Sequence, residues 1–457
     1  MTKKILSCYS NIKEMKRIYL DYAATTPLDP AVRRAITPYL SDAYGNPSSL
    51  HSFGQEASVA VFGARRTIAG AIGADYREIV FTGSATEANN VALRGAIRGA
   101  KRIAPITDRH EKRFALRPSR RDESRLDASR FARPRIIISA IEHESVAETA
   151  RDLQKEGVEV VSVPVSREGL VDLKVLHAAL DRRTVLVSIM YANNEVGSIQ
   201  PISEISALIR NFRNKILKSN RNYQLPRLRR SHSILSDYSV ADYPLFHTDA
   251  AQALPYLSTD VNELGVDLMT LSAHKVYGPK GMGALYVRKN KNLSNGFIVP
   301  IITGGGQEFG LRSGTENVAG IVGFGEAVRL LNARAQHATK EKRLRDYFWQ
   351  KLKAFSLGVV LNGPALDGPR LPNNLNISFP GVKAQEFLIK LDLAGVAASA
   401  GPACAARSSE SSPTLRAMGY DSPHVVWGIR FALGRGTTEG QIDTTLRIIK
   451  NLLTRTL

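Results

Sequence analysis

The chain has 457 residues and a formal net charge of +20, and its hydrophobic and charged fractions, 43% and 23%, are ordinary for a soluble globular protein. It is long enough for two domains, and no apolar run approaches the length that a membrane span needs. Its two cysteines, Cys8 and Cys404, argue against a disulfide scaffold and a cysteine zinc site, and they indicate a reducing, cytoplasmic location.

Apolar strand-like segments alternate with helix-like segments through the middle of the chain. The predicted strands are 78–82, 135–139, 158–163, 185–190, 245–248, 268–271 and 284–287. Helical patterns cover 87–97, 145–156, 201–212 and 335–355. This alternation predicts an α/β fold with a mostly parallel sheet covered on both faces, in which ligands bind beyond the carboxyl ends of the strands.

Two basic segments, 101–134 and 215–243, interrupt this pattern and hold most of the net charge. Residues 98–135 contain 13 Lys and Arg against 5 Asp and Glu, and residues 210–230 contain 8 Lys and Arg and no acid. Segments this long are uncommon inside compact domains. We therefore expect insertions that are disordered or form loose surface loops.

A second domain is predicted to begin near residue 335, where the long charged helical stretch starts. We expect a large domain, 18–335, that carries both basic insertions. A smaller α/β domain would be formed by 1–17 and 336–457, and it would carry the loop around Cys404.

Lys275 follows directly on a predicted strand. The run 272–275 reads Ser-Ala-His-Lys, and a turn rich in glycine and proline comes next. A lysine amine at a strand end can form a Schiff base with pyridoxal 5'-phosphate (PLP), while the hydroxyl of Ser272 and the imidazole of His274 can hold the phosphate. The alternative for this motif alone is a solvated surface lysine.

A glycine turn precedes the helix predicted at 87–97. Gly83, Ser84, Ala85 and Thr86 lie between a strand and a helix, so backbone N–H groups and the Thr86 hydroxyl can bind a phosphate. The alternative is an ordinary helix N-cap, which is the commoner use of Ser or Thr at this position.

Asp249 also follows a buried strand. A carboxylate there is costly unless it is paired, and opposite a pyridine nitrogen it would keep that nitrogen protonated. Gln252, one helical turn on, could reach the phenolic oxygen of the same ring. For Asp249 alone, the alternative is a helix N-cap.

Two further strand-end segments contain His143 and Asn194. The imidazole could stack on a pyridine face and later carry protons, and the amide could bind the ring or the substrate. The alternatives are a satisfied histidine at a helix start and a turn asparagine.

Taken together, these segments closely resemble the class V aminotransferase superfamily of PLP enzymes, and within it the cysteine desulfurases of the NifS/IscS type. The resemblance runs from Ile18 to about Ile442, interrupted by the two basic insertions. Besides the segments above, the matching runs are 19–27, 45–49, 312–315 and 429–434.

The resemblance implies a fold-type-I PLP enzyme with a seven-stranded sheet, and it assigns roles to individual residues. Lys275 is similar to the Schiff-base lysine and Arg430 to a clamp for the substrate carboxylate, a task suited to a planar guanidinium. The alternative for Arg430 is a surface ion pair. The remaining implied cofactor contacts are Ala85, Thr86, His143, Asn194, Asp249, Gln252, Ser272 and His274.

Thr315 resembles a residue that completes the phosphate site of the other subunit, which implies a homodimer. Asn46 and Asn194 are implied substrate contacts. His143 and Lys275 are implied to act in catalysis as well as in cofactor binding.

Cys404 lies in a run of small residues, 398–409, with the composition of a mobile loop. The alternative is a small buried hydrophobe, although Arg407 could favour the thiolate. In the resembled family a cysteine here attacks the sulfur of the substrate and becomes a persulfide. Pro402 stands where the family usually has serine, and proline stiffens the approach to Cys404.

The sequence thus predicts a cysteine desulfurase that converts L-cysteine to L-alanine and passes the Cys404 persulfide to an acceptor. Such acceptors are an iron–sulfur scaffold protein or a route to transfer RNA thiolation. The alternatives are a selenocysteine lyase or another class V activity. The non-enzyme alternative is that the basic insertions form an RNA-binding module.

Overall fold

The computed structural model describes residues 17–111, 133–220, 243–289, 298–331, 335–355, 358–401, 412–420 and 428–454. Its strands are β1 Ile18–Tyr19, β2 Ile79–Thr82, β3 Arg135–Ser139, β4 Glu159–Val163, β5 Thr184–Ser188, β6 Leu245–Asp249, β7 Leu268–Ser272, β8 Gly283–Val287, β9 Val360–Leu361, β10 Asn374–Ser378, β11 Val396–Ala397 and β12 Gly428–Ala432. Its helices are α1 Pro30–Ile36, α2 Ser52–Ala71, α3 Ala85–Glu111, α4 Glu144–Lys155, α5 Leu173–Ala179, α6 Ile202–Asn220, α7 Val261–Leu264, α8 Val318–Arg329, α9 Ala335–Phe355, α10 Ala384–Leu393, α11 Pro413–Ala417 and α12 Glu439–Thr454. Short 3₁₀ turns cover Thr37–Leu40, Tyr76–Glu78, Ala273–Lys275 and Glu308–Gly310.

A seven-stranded sheet forms the centre of the fold, in the order β2-β8-β7-β6-β5-β3-β4. The neighbours from β7 to β4 are parallel, and β8 runs antiparallel to both β2 and β7. The predicted α/β fold with a mostly parallel seven-stranded sheet is confirmed. The helix predicted at 87–97 is longer than expected, since α3 runs from Ala85 to Glu111 inside the first basic segment.

The central strands are buried on both faces, as their unbroken apolar runs predict. Side chains alternate between the two faces of a strand, so consecutive residues enter different cores. In β3, Ile137 packs into one hydrophobic cluster and Ile136 and Ile138 pack into the other. Helices cover both faces, with α3 contributing Val91 and Leu93 to the second cluster.

A separate three-stranded antiparallel sheet, β12-β10-β9, lies in the C-terminal part of the chain. Its own hydrophobic cluster includes Phe348 of α9 and Phe431 of β12, whose rings meet edge to face at 5.1 Å. The first strand, β1, pairs in parallel with β11 and so joins the chain start to this C-terminal part. The separate cluster supports a small domain, and the boundary near 335 stays a prediction.

The carboxyl ends of the parallel strands reach one edge of the central sheet. The register places Thr82 and Ser272 on either side of Gly283, so the ends of β2 and β7 lie level with each other. Asp249 ends β6 at the same edge. No described helix combines the length and the apolar character that crossing a membrane requires.

Candidate active site

A pocket of about 280 Å³ lies at this carboxyl edge of the sheet. Most of the side chains that the sequence singled out line it together. They are Ala85, Thr86, His143, Asn194, Asp249, Gln252, Ser272, His274, Lys275 and Arg430. Residues from five strand ends and from the C-terminal sheet therefore meet in one cavity.

Lys275 lies in the 3₁₀ turn that follows β7, with its side chain in the pocket. Its Nζ donates hydrogen bonds to the carbonyl oxygens of Ala23 at 2.5 Å and Ala24 at 2.8 Å. Burial, and then the positive charge of Arg430, lower the pKa of Lys275 to about 8. The neutral, nucleophilic amine is therefore more accessible near neutral pH than it is in an exposed lysine.

The glycine turn and the end of β7 together form a polar cradle. The Oγ of Ser272 is buried and has no hydrogen-bond partner among the described residues. A Cβ on Gly283 would lie 2.6 Å from the carbonyl carbon of Ser84 and 2.8 Å from the amide of Ala85, so only glycine lets the turn approach. An unsatisfied hydroxyl beside the N-terminus of the long helix α3 fits a phosphate group.

His274 is held against the N-terminal segment of the chain. Its Nδ1 lies 3.1 Å from the Oγ1 of Thr25, and its carbonyl accepts a hydrogen bond from the Oγ1 of Thr26 at 2.9 Å. Burial, and then the charges of Lys275 and Lys280, lower the pKa of His274 to about 4. The imidazole is therefore neutral at physiological pH.

Asp249 is a buried carboxylate with both oxygens in use. Its Oδ2 accepts a hydrogen bond from Asn89 Nδ2 at 2.7 Å, and its Oδ1 accepts one from the amide of Ala251 at 2.9 Å. Burial raises the pKa of the neighbouring Glu142 well above its usual range, and the negative charge of Asp249 raises it further. The sequence reasoning missed both Asn89 and Glu142.

His143 and Gln252 line the pocket but also make local contacts. His143 is the N-cap of α4, with its Nδ1 accepting the amide of Ser145 at 3.1 Å. This leaves the proton of the neutral ring on Nε2. Gln252 donates from Nε2 to the carbonyl of Ala23 at 3.0 Å. His143 therefore caps a helix, as the alternative proposed, and also lines the pocket.

Arg430 lies on β12 and is 1% exposed, which rules out the alternative of a surface ion pair. Its Nη1 donates to the carbonyl of Asn194 at 2.8 Å, and its Nη2 donates to Asp21 Oδ1 at 2.7 Å. Its Nε is buried without a hydrogen-bond partner in the described part of the chain. Arg430 also lines the pocket, and its two contacts use only two of the five N–H donors of the guanidinium, so the group can receive an anion there.

Glu195, next to Asn194, is a buried carboxyl that the sequence reasoning did not select. Its oxygens accept hydrogen bonds from the Oγ of Ser412 at 2.6 Å and the Oγ1 of Thr414 at 2.7 Å. A Cβ on Gly401, whose φ is +82°, would lie 2.9 Å from its Oε2. Cys404 lies outside the described residues, within 402–411, and the chain on both sides of that gap meets at Glu195.

Asn46 and Thr315 are not among the described residues that line the pocket, and both are exposed. The Oδ1 of Asn46 accepts a hydrogen bond from the amide of Ser48 at 2.9 Å. Thr315 lies three residues after Arg312, whose Nε donates a hydrogen bond at 2.8 Å to Glu87 in the first turn of α3. Neither residue reaches this pocket from its own chain.

The N-terminal segment 21–26 is the largest omission from the predicted site. Asp21 contacts Arg430, and the carbonyls of Ala23 and Ala24 contact Lys275. The run 19–27 belongs to the family resemblance, which was the available signal. It gave no side-chain clue, because most of these contacts use backbone oxygen atoms.

Comparison with known proteins places this geometry among related chains. The family described as Aminotransferase class-V matches residues 18–108, 127–218 and 240–444. The two gaps in the match fall within the basic segments, which themselves lie largely outside the described residues.

A curated relative from Dictyoglomus turgidum, named cysteine desulfurase IscS, is 40% identical over 441 residues, which is 96% of this chain and 95% of that relative. A solved structure called a NifS-like protein has a TM-score of 0.75 and 32% identity, and the match covers 96% of this chain and all of that one. A structure of SspA in complex with cysteine has a TM-score of 0.68 and 29% identity over 92% of this chain and 99% of that one.

Proposed function

The chain belongs to the class V aminotransferase family, and from that premise we propose that it is a PLP-dependent cysteine desulfurase that takes sulfur from L-cysteine. One observation carries the proposal: Lys275, Ser272, Asp249 and Arg430 line a single pocket. This combination supplies a nucleophilic amine, a phosphate ligand, a ring partner and a carboxylate ligand.

The residues of the pocket fit PLP. Thr86, Ser272 and the N-terminus of α3 would hold its phosphate, Asp249 would face its pyridine nitrogen, and Lys275 would bind its aldehyde carbon. When bound, PLP supplies an electron sink that makes the bonds at the substrate α-carbon easier to break.

The chain's own groups would then bind the amino acid and move its protons. Arg430, which lines the pocket, would bind the substrate carboxylate through its guanidinium. The Lys275 amine, with a pKa of about 8, takes up and releases protons near neutral pH. Because His274 is neutral, the positive charges in the pocket come from Lys275 and Arg430.

Sulfur transfer requires a thiol, and Cys404 is the proposed nucleophile. Its thiolate attacks the substrate sulfur, and the carbon–sulfur bond breaks with its electron pair on the carbon side. Proton uptake then releases L-alanine, while the transferred sulfur remains on Cys404 as a persulfide. An acceptor such as an iron–sulfur scaffold protein, or a route to transfer RNA thiolation, would take that sulfur.

The test is alanine release from L-cysteine by the Cys404→Ser variant. We expect no alanine or persulfide above background, with the yellow cofactor colour retained because Lys275 is unchanged. The Cys8→Ser variant is the matched control and should keep full turnover. Undiminished turnover by Cys404→Ser would reject the proposed function.

The assembly is proposed to be a homodimer in which Thr315 completes the partner's phosphate site. Thr315 is exposed and lies away from the pocket of its own chain, which supports this arrangement. Large apolar side chains that precede α2 in the sequence are also exposed, including Leu40 at 70%, Tyr44 at 74% and Leu50 at 90%, and they support a partner surface.

The cysteine pattern supports a proposed cytoplasmic location.

A further inference from the structure

The guanidinium of Arg430 is fixed by two anchors from distant parts of the chain. Asn194 supplies a carbonyl oxygen to Nη1 from the loop after β5, and Asp21 supplies a carboxylate oxygen to Nη2 from the segment after β1. One anchor on each terminal nitrogen fixes the plane of the group. The buried Nε has no hydrogen-bond partner among the described residues, and the two printed contacts use only two of the five N–H donors of the group.

Asp21 is itself held in place by the C-terminal sheet. It forms a parallel bridge with Ala432, and its carbonyl accepts a hydrogen bond from the Tyr19 hydroxyl at 2.9 Å. Its side chain is 17% exposed and that of Arg430 is 2% exposed, so the pair is screened little by water. A rigid carboxylate in such a site orients its partner strongly.

We propose that Asp21 is the positioning residue for Arg430, and that through it the pocket prefers amines that carry a carboxylate. This inference rests on the proposed function, in which Arg430 binds the carboxylate of the amino acid. Asp21 is not among the described residues that line the pocket. It acts by holding the guanidinium of Arg430, which does line the pocket, in a fixed orientation.

The same segment connects Asp21 to Lys275. Ala23 and Ala24, two and three residues after Asp21, accept the two hydrogen bonds from the Lys275 amine. The charge of Arg430 lowers the pKa of Lys275, while the charge of Asp21 raises it. Loss of the Asp21 charge therefore leaves the effect of Arg430 less opposed, and the Lys275 pKa should fall below about 8.

The first experiment measures the affinity of the holoenzyme for L-alanine and for ethylamine, which lacks the carboxylate, in wild type and Asp21→Asn. We expect alanine to bind about tenfold more weakly to the variant, since a charge-assisted hydrogen bond to the guanidinium is lost. Ethylamine affinity should not change. Asp392→Asn, which removes the acid of an exposed ion pair with Arg17, is the control and should alter neither affinity.

The second experiment uses the cofactor-free chain and follows reductive methylation of Lys275 by mass spectrometry at pH 7. Asp21→Asn should be methylated faster, because a lower pKa leaves more of the amine neutral. The rate is also followed as a function of pH: the proposed loss of charge moves its midpoint to lower pH, whereas a structural defect that exposes the amine moves the midpoint up toward that of an ordinary lysine. If Asp21→Asn gives little folded protein, Asp21→Glu keeps the charge but displaces it, and it should weaken alanine binding while sparing ethylamine.

Each result bears on the inference. Unchanged or tighter alanine binding in Asp21→Asn overturns it, because tighter binding means that Asp21 competes with the substrate for Arg430. An equal loss for alanine and ethylamine also overturns it. If the wild type binds neither L-alanine nor L-cysteine, the proposed function itself fails.

Discussion

Two stretches of chain build the pocket by different means. The carboxyl edge of the central sheet contributes side chains: Ser272 ends one strand, Lys275 lies in the turn after it, and Asp249 ends the neighbouring strand. The segment 21–26 contributes mainly backbone oxygens, which hold Lys275 and Gln252 through the carbonyls of Ala23 and Ala24. The reactive side chains therefore lie at the sheet edge, while backbone oxygens of the N-terminal segment hold two of them in position.

This comparison predicts that substitutions at the sheet edge act on reaction and cofactor, and that substitutions in segment 21–26 act first on stability and geometry. The strongest test removes the amine of Lys275. In Lys275→Ala we expect activity to fall about 10²–10⁴-fold, the contribution typical of a positioned acid–base group. Bound PLP should also dialyse away more readily.

The control for that variant is Lys280→Ala, five residues later and exposed. It should keep both activity and cofactor. Alanine release from L-cysteine and cofactor absorbance after dialysis measure the two effects. Equal losses in the two variants would contradict the assignment of the amine to Lys275.

A second prediction concerns the phosphate cradle at the sheet edge. Gly283→Ala places a Cβ within 2.6–2.8 Å of the backbone at Ser84 and Ala85, so the turn must move. Overpacking of this kind costs about 1–3 kcal/mol, and we expect a matching loss in PLP affinity. The measurements are urea unfolding and equilibrium titration of the cofactor-free chain with PLP.

Gly63→Ala provides the comparison, because its Cβ would meet nothing within 4 Å on helix α2. It should be neutral or stabilise the fold by about 0.4–1 kcal/mol, and PLP affinity should not change. If Gly283→Ala behaves like Gly63→Ala, the close approach at the cradle has no part in binding.

The smallest expected effect on activity lies in the N-terminal segment, where the substitution acts on stability. The Thr26 hydroxyl donates to the His274 carbonyl at 2.9 Å and accepts the Tyr277 amide at 2.8 Å. Thr26→Val leaves that buried N–H unpaired, which costs about 1–3 kcal/mol of unfolding free energy. Urea unfolding should show the loss, with Thr67→Val, which removes an exposed hydroxyl hydrogen bond to Gly63 on helix α2, as the near-neutral control. A loss of activity without any loss of stability would break the proposed division between the two stretches.

The sheet and its ligand edge could be predicted because buried parallel strands have a recognisable sequence pattern. Apolar runs alternating with helices predicted a mostly parallel sheet, which the family resemblance implied to be seven-stranded. Polar residues directly after those runs predicted the side chains at its edge. Eight of them do line the pocket: Thr86, His143, Asn194, Asp249, Gln252, Ser272, His274 and Lys275. Their chemical roles stay predictions.

The rest of the site could not be predicted by that reasoning, for physical reasons. The carbonyls of Ala23 and Ala24 act without side chains, so their residue types carry no signal. Asp21 and Glu195 find their partners across sequence separations of 409 and 217 residues, and no local pattern encodes such pairings. The extent of α3 was missed because its polar continuation enters a basic segment.

The contacts of Glu195 have a consequence for redesign. Gly401 lies beside this buried carboxyl on one side of the gap, and Ser412 and Thr414 donate hydrogen bonds to it on the other, so the intervening chain begins and ends next to one group. The ten residues from 402 to 411 can therefore be exchanged around a retained Cys404, in longer or shorter versions, between two ends that stay close together.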